Sequence, residues 1–342
     1  MSISQLLQRQ RPTLVLVAAV AIIVLAIGDD TAAIDLSITI AVFSLLALSV
    51  SLGYGQAGIM SVAQAAFAAI GAYATAILAT RWELHPLIGL VGALLVPALI
   101  AYPLARIVGR LSHLALAIAT LVFGEIVVIL LREGGDFTGG YVGISAIPPL
   151  PWAVDLQAYS VFAWIVVIVV VAGYSNLVAS SHGRALQTIR WDVLRAKADG
   201  VDVAHRSAGI FALAAAIAGM AGWLYAHYLA FLAPESIPAM WSITAILMAV
   251  VGGNRYVLGP IVGAAGLIFL QNALPSEAAQ GILYGTALVA ALVLAPEGLL
   301  GIVERIWRGS TRRFKRMRGR GLEPAARQET AADTADYSEV AS

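Results

Sequence analysis

Few residues in this chain could do covalent chemistry. Its 342 residues include no cysteine and five histidines. No two histidines stand four apart, so the chain has neither a thiolate site nor a His-x-x-x-His metal pair. Its lysines are Lys197 and Lys315, and neither follows a glycine. A phosphate-binding loop needs Gly-Lys-Ser/Thr, because the lysine charge grips the nucleotide phosphates. ATP hydrolysis by that route is therefore excluded. No cluster of catalytic residue types appears at a membrane face, which disfavours a membrane-bound enzyme. One ionisable residue is out of place. Glu125 lies deep in an apolar run, where an ionisable group costs about 2–3 kcal/mol or more. It should face protein or water and have a partner. It has two readings: proton coupling, or a hydrogen-bonded carboxyl that locks neighbouring helices or the adjacent loop.

Three polar or glycine-rich stretches are the other candidates. The first is residues 53–71, with Gly53, Gly55, Gly58 and Gly71 and the polar Gln56, Ser61 and Gln64. Broken backbone within a membrane is tolerated only beside protein or a water-filled cavity, and such interruptions often line a substrate path. Close helix packing through small residues is the competing reading, and it is stronger still for Gly252-Gly253 and Gly259-x-x-x-Gly263. The second stretch, Thr138-Gly139-Gly140-Tyr141-Val142-Gly143, is a docking surface for an external protein or an ordinary turn-rich cap. The third, Ser181–Arg206, is charged and free of helix breakers from Ala185 to Asp199. It reads as one surface helix that presents Arg184, Arg190, Arg195 and Lys197 to solvent and uses Leu186, Ile189 and Leu194 as apolar contacts. Gly200 ends it in left-handed conformation. Its charges either fix topology alone or receive force from a soluble motor. The cluster Tyr225, His227 and Tyr228 reads as interfacial aromatic anchoring.

The elements that hold these residues are membrane helices. The chain is 60% hydrophobic and 12% charged, against roughly a quarter charged in soluble domains. The net charge of +1 gives no case for nucleic-acid binding. Apolar segments fall near 13–28, 35–52, 59–80, 86–106, 111–131, 157–178, 207–231, 241–252, 258–274 and 279–295. Most approach the ~20 residues that span a bilayer as helix. The predicted fold is all-α, a polytopic membrane bundle of about ten transmembrane helices (eight to ten). The segments at 241–252 and 258–274 are short enough for one to be tilted, broken or re-entrant. Arg9 and Arg11 before the run Leu14–Ile27 resemble a signal peptide, but Asp29-Asp30 follows without a small-x-small site, so the run reads as a retained first helix.

Charge gives an independent check on topology. With both termini cytoplasmic, all but Arg81 and Arg132 of the 21 basic residues fall inside, as the positive-inside rule requires. Residues 1–12 are then a cytoplasmic N-terminus and 13–304 the membrane domain, with an inner loop at 179–206 and an outer loop at 132–156. Residues 305–342 form a cytoplasmic tail, basic and then acidic, of a composition that favours disorder.

Several segments together resemble a known family. G-R-A-L-x-x-I-R…A-x-x-x-G-V-D-V (Gly183–Val203) resembles the ATPase-coupling loop of branched-chain amino-acid ABC permeases of the LivM type. Leu52–Leu78, Leu114–Val127, Phe137–Pro148, Trp223–Ile237, Ile246–Ala264 and Pro296–Ile302 are similar to further stretches of that family, in order, over about residues 35–305. Two positions depart from its pattern: Arg195-Ala196-Lys197, where the family often has an acidic residue, and Gln64, where it usually has histidine. The resemblance implies a non-catalytic permease subunit of an ABC uptake transporter in the cell inner membrane, carrying branched-chain or other hydrophobic amino acids by ATP-driven alternating access. Gly183, Arg184, Arg190, Arg195, Ala196 and Gly200 would form the coupling loop. The implied partners are a second permease of the LivH type, two cytoplasmic ATPase subunits that hold the ATP and Mg, and an external solute-binding protein. No cofactor or metal is expected in this chain. The alternatives are a permease for another small polar solute (urea, an amide or a simple sugar) and a proton-coupled secondary transporter working through Glu125.

Overall fold

The computed structural model describes residues 10–109, 111–273, 285–286 and 298–301. The chain divides into two compact units, Met1–Leu299 and Leu300–Ser342, and of the second only residues 300 and 301 are among those described. The tail at 305–342 lies outside the described residues, as does the apolar segment at 279–295 apart from residues 285–286.

The first unit is helical, as its apolar segments dictate. In chain order the helices are α1 (Arg11–Ile27), α2 (Thr31–Val50), α3 (Gln64–Arg81), α4 (Pro86–Val108), α5 (His113–Glu133), α6 (Leu156–Val178), α7 (Ser181–Trp191), α8 (Val193–Ala198), α9 (Val203–Leu229), α10 (Met240–Gly252) and α11 (Gly259–Asn272). Six spans among the described residues are long and apolar enough to cross a bilayer: Thr31–Gln56, Pro86–Val108, Leu114–Glu133, Leu156–Val178, Val203–Leu229 and Pro234–Gly252. Helices α1 and α11 are apolar but shorter. The one β element among the described residues pairs β1 (Ile144–Ser145) with β2 (Phe231–Leu232), antiparallel, and ties the 132–156 loop to the end of α9.

Helix starts follow local chemistry. Asp30, Ser112, Ser180, Asp192 and Asp202 each accept a hydrogen bond from a first-turn backbone N–H, which satisfies donors the helix itself cannot. The centre is built on small residues. A side chain at Gly71 would strike the Gly219 backbone, one at Gly219 the Ala93 carbonyl, and one at Gly222 the Ala68 carbonyl. Helices α3, α4 and α9 therefore meet almost backbone to backbone, the close approach that drives helix association where lipid offers no hydrophobic drive. Gly252, Gly259 and Gly263 do the same for α10 and α11. Helix α2 packs on α6, α9 and α11, and the inward stripe of α4 is Pro86, Gly89, Ala93, Pro97 and Ala101.

Candidate functional site

Two of the stretches singled out in the sequence meet at one end of the bundle. Helix α2 does not stop cleanly at Val50. It continues as a π-helical turn, Ser51–Gln56, a form that is rare and frequent at functional sites. The chain then leaves helical geometry until Gln64, turning at Gly58 with φ +72°. The apolar segments read from sequence as 35–52 and 59–80 are thus α2 with its π turn, an irregular link and a later α3. The link is held by side chains. Thr120 Oγ1 accepts from Val62 N at 2.9 Å, Ser61 Oγ from Ala63 N at 3.2 Å, and Ser242 Oγ from Ala65 N at 2.9 Å. Gln64 Oε1 accepts from Ser49 Oγ at 3.2 Å. Irregular backbone at membrane depth needs such substitutes, because lipid supplies none.

The π turn is fastened from three directions. Tyr174 of α6 is fully enclosed. Its hydroxyl lies 3.0 Å from Ser51 Oγ and accepts from Gln56 Nε2 at 3.1 Å. Ser51 Oγ also donates to the Asn254 carbonyl at 3.1 Å, and Gly55 lies so close to that carbonyl that any side chain there would collide with it. Arg190 of α7 donates to the Gly55 carbonyl, and Gly58 turns beside the same arginine side chain. Burial lowers the pKa of Arg190, with the nearby Arg255 charge as the second cause. Arg255 itself sits 5.4 Å from the centre of the Trp191 ring.

The 179–206 loop differs from the single surface helix expected of it. Asp192 has extended backbone and splits the stretch into α7 and α8, its carboxylate capping Leu194 N and Arg195 N. The sequence reading missed this because aspartate is compatible with a helix interior but favours the cap. Leu186, Ile189 and Ala196 are buried, and Gly183 packs on the Leu177 and Val178 carbonyls. Arg184, Arg195 and Lys197 are exposed as expected, but Arg190 is half-buried against Gly55. Leu194 is not an apolar contact: it is 77% exposed, beside Trp191 at 76%. Gly200 does close α8 at φ +76°, with Val201 N donating to the Ala196 carbonyl and Gly200 N to the Lys197 carbonyl.

The remaining candidates are dispersed. Gly53, Gly55, Gln56, Ser61, Gln64 and Gly71 are covered by protein in this conformation. At the opposite end of the bundle, Thr138 is buried and donates to the Leu131 carbonyl at 2.7 Å, while Gly139 and Gly140 make left-handed turns. The exposed residues of that turn are Tyr141 and Val142, and Arg132 pairs with Glu235 at 2.8 Å nearby. The aromatic cluster is tied into the bundle. His227 is buried between Thr75 Oγ1 (3.0 Å) and the Pro148 carbonyl (2.8 Å), Tyr228 bonds to Asp35, and Tyr225 packs on Trp241. Glu125 does not lock neighbouring helices of this chain. It is exposed and makes no hydrogen bond or ion pair among the described residues. Among these residues no group of three or more His, Cys, Asp or Glu side chains could hold a metal ion.

Tyr174, Asn254, Trp191 and Arg255 were not singled out from sequence. A lone tyrosine near the end of an apolar segment gives a faint signal. A backbone carbonyl such as that of Asn254 gives none.

Comparison with known proteins gives a consistent result. The family described as branched-chain amino acid transport system / permease component matches residues 32–294. The chain is 28% identical over 300 residues to the high-affinity branched-chain amino acid transport system permease protein LivM of Salmonella typhimurium, covering 78% of this chain and 69% of that protein. It is 27% identical to the Escherichia coli protein of the same name (82% and 74% covered) and 24% identical to a probable branched-chain amino acid transport permease protein LivM of Methanocaldococcus jannaschii (67% and 77%). No solved structure matches significantly.

Proposed function

We propose a transport reading that starts from one premise: this chain belongs to the family of branched-chain amino acid transport system permease components. It is a multi-pass membrane protein and a permease subunit of an ABC transporter. It sits in the cell inner membrane with both termini in the cytoplasm, and carries branched-chain or other hydrophobic amino acids inward by alternating access.

The observation that supports this most directly is the Arg190–Gly55 bond. Helices α7 and α8 lie where a cytoplasmic ATPase would push, and Trp191 and Leu194 are the exposed apolar side chains it would grip. Arg184, Arg195 and Lys197 surround them with positive charge. Force on α7 reaches the irregular stretch 51–63 through Arg190. That stretch borders α6 through Tyr174, the turn after α10 through the Asn254 carbonyl, and α5 through Thr120, while Ser242 of α10 holds the start of α3 at Ala65 N. In free-energy terms, the ATPase state and the conformation of 51–63 bias each other by the same coupling energy. ATP and Mg are held by the ATPase subunits, a second permease of LivH type completes the path, and the exposed Tyr141 and Val142 face an external solute-binding protein.

The test is reconstitution. The chain is co-expressed with its partner subunits, placed in liposomes, and leucine uptake is followed with ATP inside, with and without the binding protein. Uptake that needs both is expected. ATP-dependent uptake of urea, an amide or a sugar instead would keep the mechanism and change the solute. Uptake driven by a proton gradient without an ATPase would refute the reading.

A further inference from the structure

Glu125 stands in the middle of an exposed helical face. The stripe Leu114, Ile118, Leu121, Val122, Glu125, Ile126, Ile129 and Leu130 of α5 is open, and the opposite stripe of Leu116, Thr120, Gly124, Val127 and Leu131 packs on this chain. Glu125 is eight residues from one end of α5 and twelve from the other, about 12 and 18 Å along the axis. It therefore lies within the hydrocarbon thickness of ~30 Å.

The other open faces of the bundle are different. Helix α4 exposes Leu87, Ile88, Val91, Leu95 and Leu99, and α6 exposes Val161, Ile165 and Val169, with no ionisable group among them. Wholly aliphatic faces of that kind suit lipid. The other carboxylates within described spans have partners: Asp35 bonds to Tyr228, Glu133 to Tyr141 and Glu235 to Arg132. An ionisable group at Glu125's depth costs about 2–3 kcal/mol or more against acyl chains. Where helices of this chain do pack through large side chains, as α2 on α6, the polar groups between them pair, Ser37 with Ser160 and Trp164, whereas Glu125 has no hydrogen bond or ion pair among the described residues. A water-filled space suits both the lone carboxylate and the aliphatic residues around it.

We propose that the open face of α5 borders the translocation path, and that the Glu125 carboxylate receives the α-ammonium group of the travelling amino acid while Leu121, Val122, Ile126 and Ile129 meet its branched aliphatic side chain. The pairing is one of charge and shape: a single carboxylate within an aliphatic patch complements a ligand with one ammonium and one hydrocarbon branch. The substrate's own carboxylate points away from α5, toward the second permease. This assignment rests on the permease reading above.

The chain has no cysteine, so an introduced cysteine is its one thiol and is read against the unaltered complex as background. In the reconstituted full complex, Val122→Cys reacts with a membrane-impermeant cationic thiol reagent, leucine slows the reaction, and Leu99→Cys on α4 does not react. Glu125→Gln lowers leucine transported per ATP hydrolysed about tenfold, the scale of one charged hydrogen bond, with co-purification of the partner permease unchanged. Glu125→Asp restores most of the loss. Val122→Cys as inert as Leu99→Cys would place the face against lipid or a sealed interface and overturn the proposal. Reaction without leucine protection, together with full transport by Glu125→Gln, would overturn the ammonium assignment. Loss of the partner permease from Glu125→Gln preparations would make the carboxylate an interface group instead. Absence of ATP-driven leucine uptake by the unaltered complex would overturn the permease reading itself, whatever the cysteines show.

Discussion

Arg190→Ala tests the inner junction without any assumption about substrate. In the structure the guanidinium donates to the Gly55 carbonyl, and Gly55 is buried against Asn254. Truncation leaves that carbonyl without its donor, which costs about 1–3 kcal/mol for a buried acceptor. Two effects reduce the loss. The half-buried guanidinium is itself desolvated, and its removal relieves repulsion from Arg255. A net loss of about 1–1.5 kcal/mol follows, which raises the local opening equilibrium of residues 51–58 roughly five- to tenfold. Hydrogen exchange of the complex in nanodiscs, read by mass spectrometry, measures this directly: peptides covering 51–63 exchange faster, and peptides from α9 do not. Arg190→Lys keeps the charge but not the planar fork, so it falls between. On the proposed transport reading, a complex carrying the alanine variant still hydrolyses ATP in its ATPase subunits but transports less solute per turnover. Unchanged protection of 51–63 in Arg190→Ala would refute the idea that this arginine holds the segment.

Tyr174→Phe leaves Gln56 Nε2 and Ser51 Oγ short of a partner inside the bundle, and about 1–3 kcal/mol of local stability should go; exchange in 51–56 reports it, while α7 keeps its protection. Gly71→Val forces α3 off the Gly219 backbone and destabilises by about 1–3 kcal/mol or more, seen as a lower melting temperature in detergent, whereas Gly266→Ala, with open space around it, leaves the melt unchanged. The Arg132–Glu235 pair is partly exposed, so Arg132→Ala should shift stability by no more than about 1 kcal/mol; a large shift would mean the pair is enclosed in the assembled transporter. The backbone N–H of His205 lowers the Asp202 pKa first among its causes. Its capping contribution to α9 is therefore present above the ordinary aspartate pKa and is lost as pH falls through the lowered folded value. Asp202→Asn should flatten the acid limb of the α9 exchange profile.

Much of this protein was legible in its residues because membrane insertion acts locally. A run of apolar residues forms a helix in lipid whatever surrounds it, since no other spanning form satisfies its backbone. Segments 86–106, 111–131 and 157–178 consequently lie within two or three residues of α4, α5 and α6. The glycines of 53–71 left helix packing and a broken backbone both open, whereas Gly200 announced a helix end, because a chain-ending glycine acts through its own backbone. Asp192 splitting α7 from α8 was less legible: the same residue is tolerated inside a helix and preferred at its cap, and only the fold of the whole loop selects between them.

Tertiary structure alone decided which polar groups meet. Arg190, Gly55, Tyr174 and Asn254 come from four separate segments, and nothing in any one of them encodes the others. His227 read as an interfacial residue and is a buried bridge between Thr75 and Pro148, since its depth depends on how far the 132–156 loop folds over α9. The cost of Glu125 in lipid follows from residue type and apolar flanks, and those were visible in one dimension. Which way Glu125 faces follows from the rotation of α5 against its neighbours, set by the packing of Thr120, Gly124 and Val127 in three.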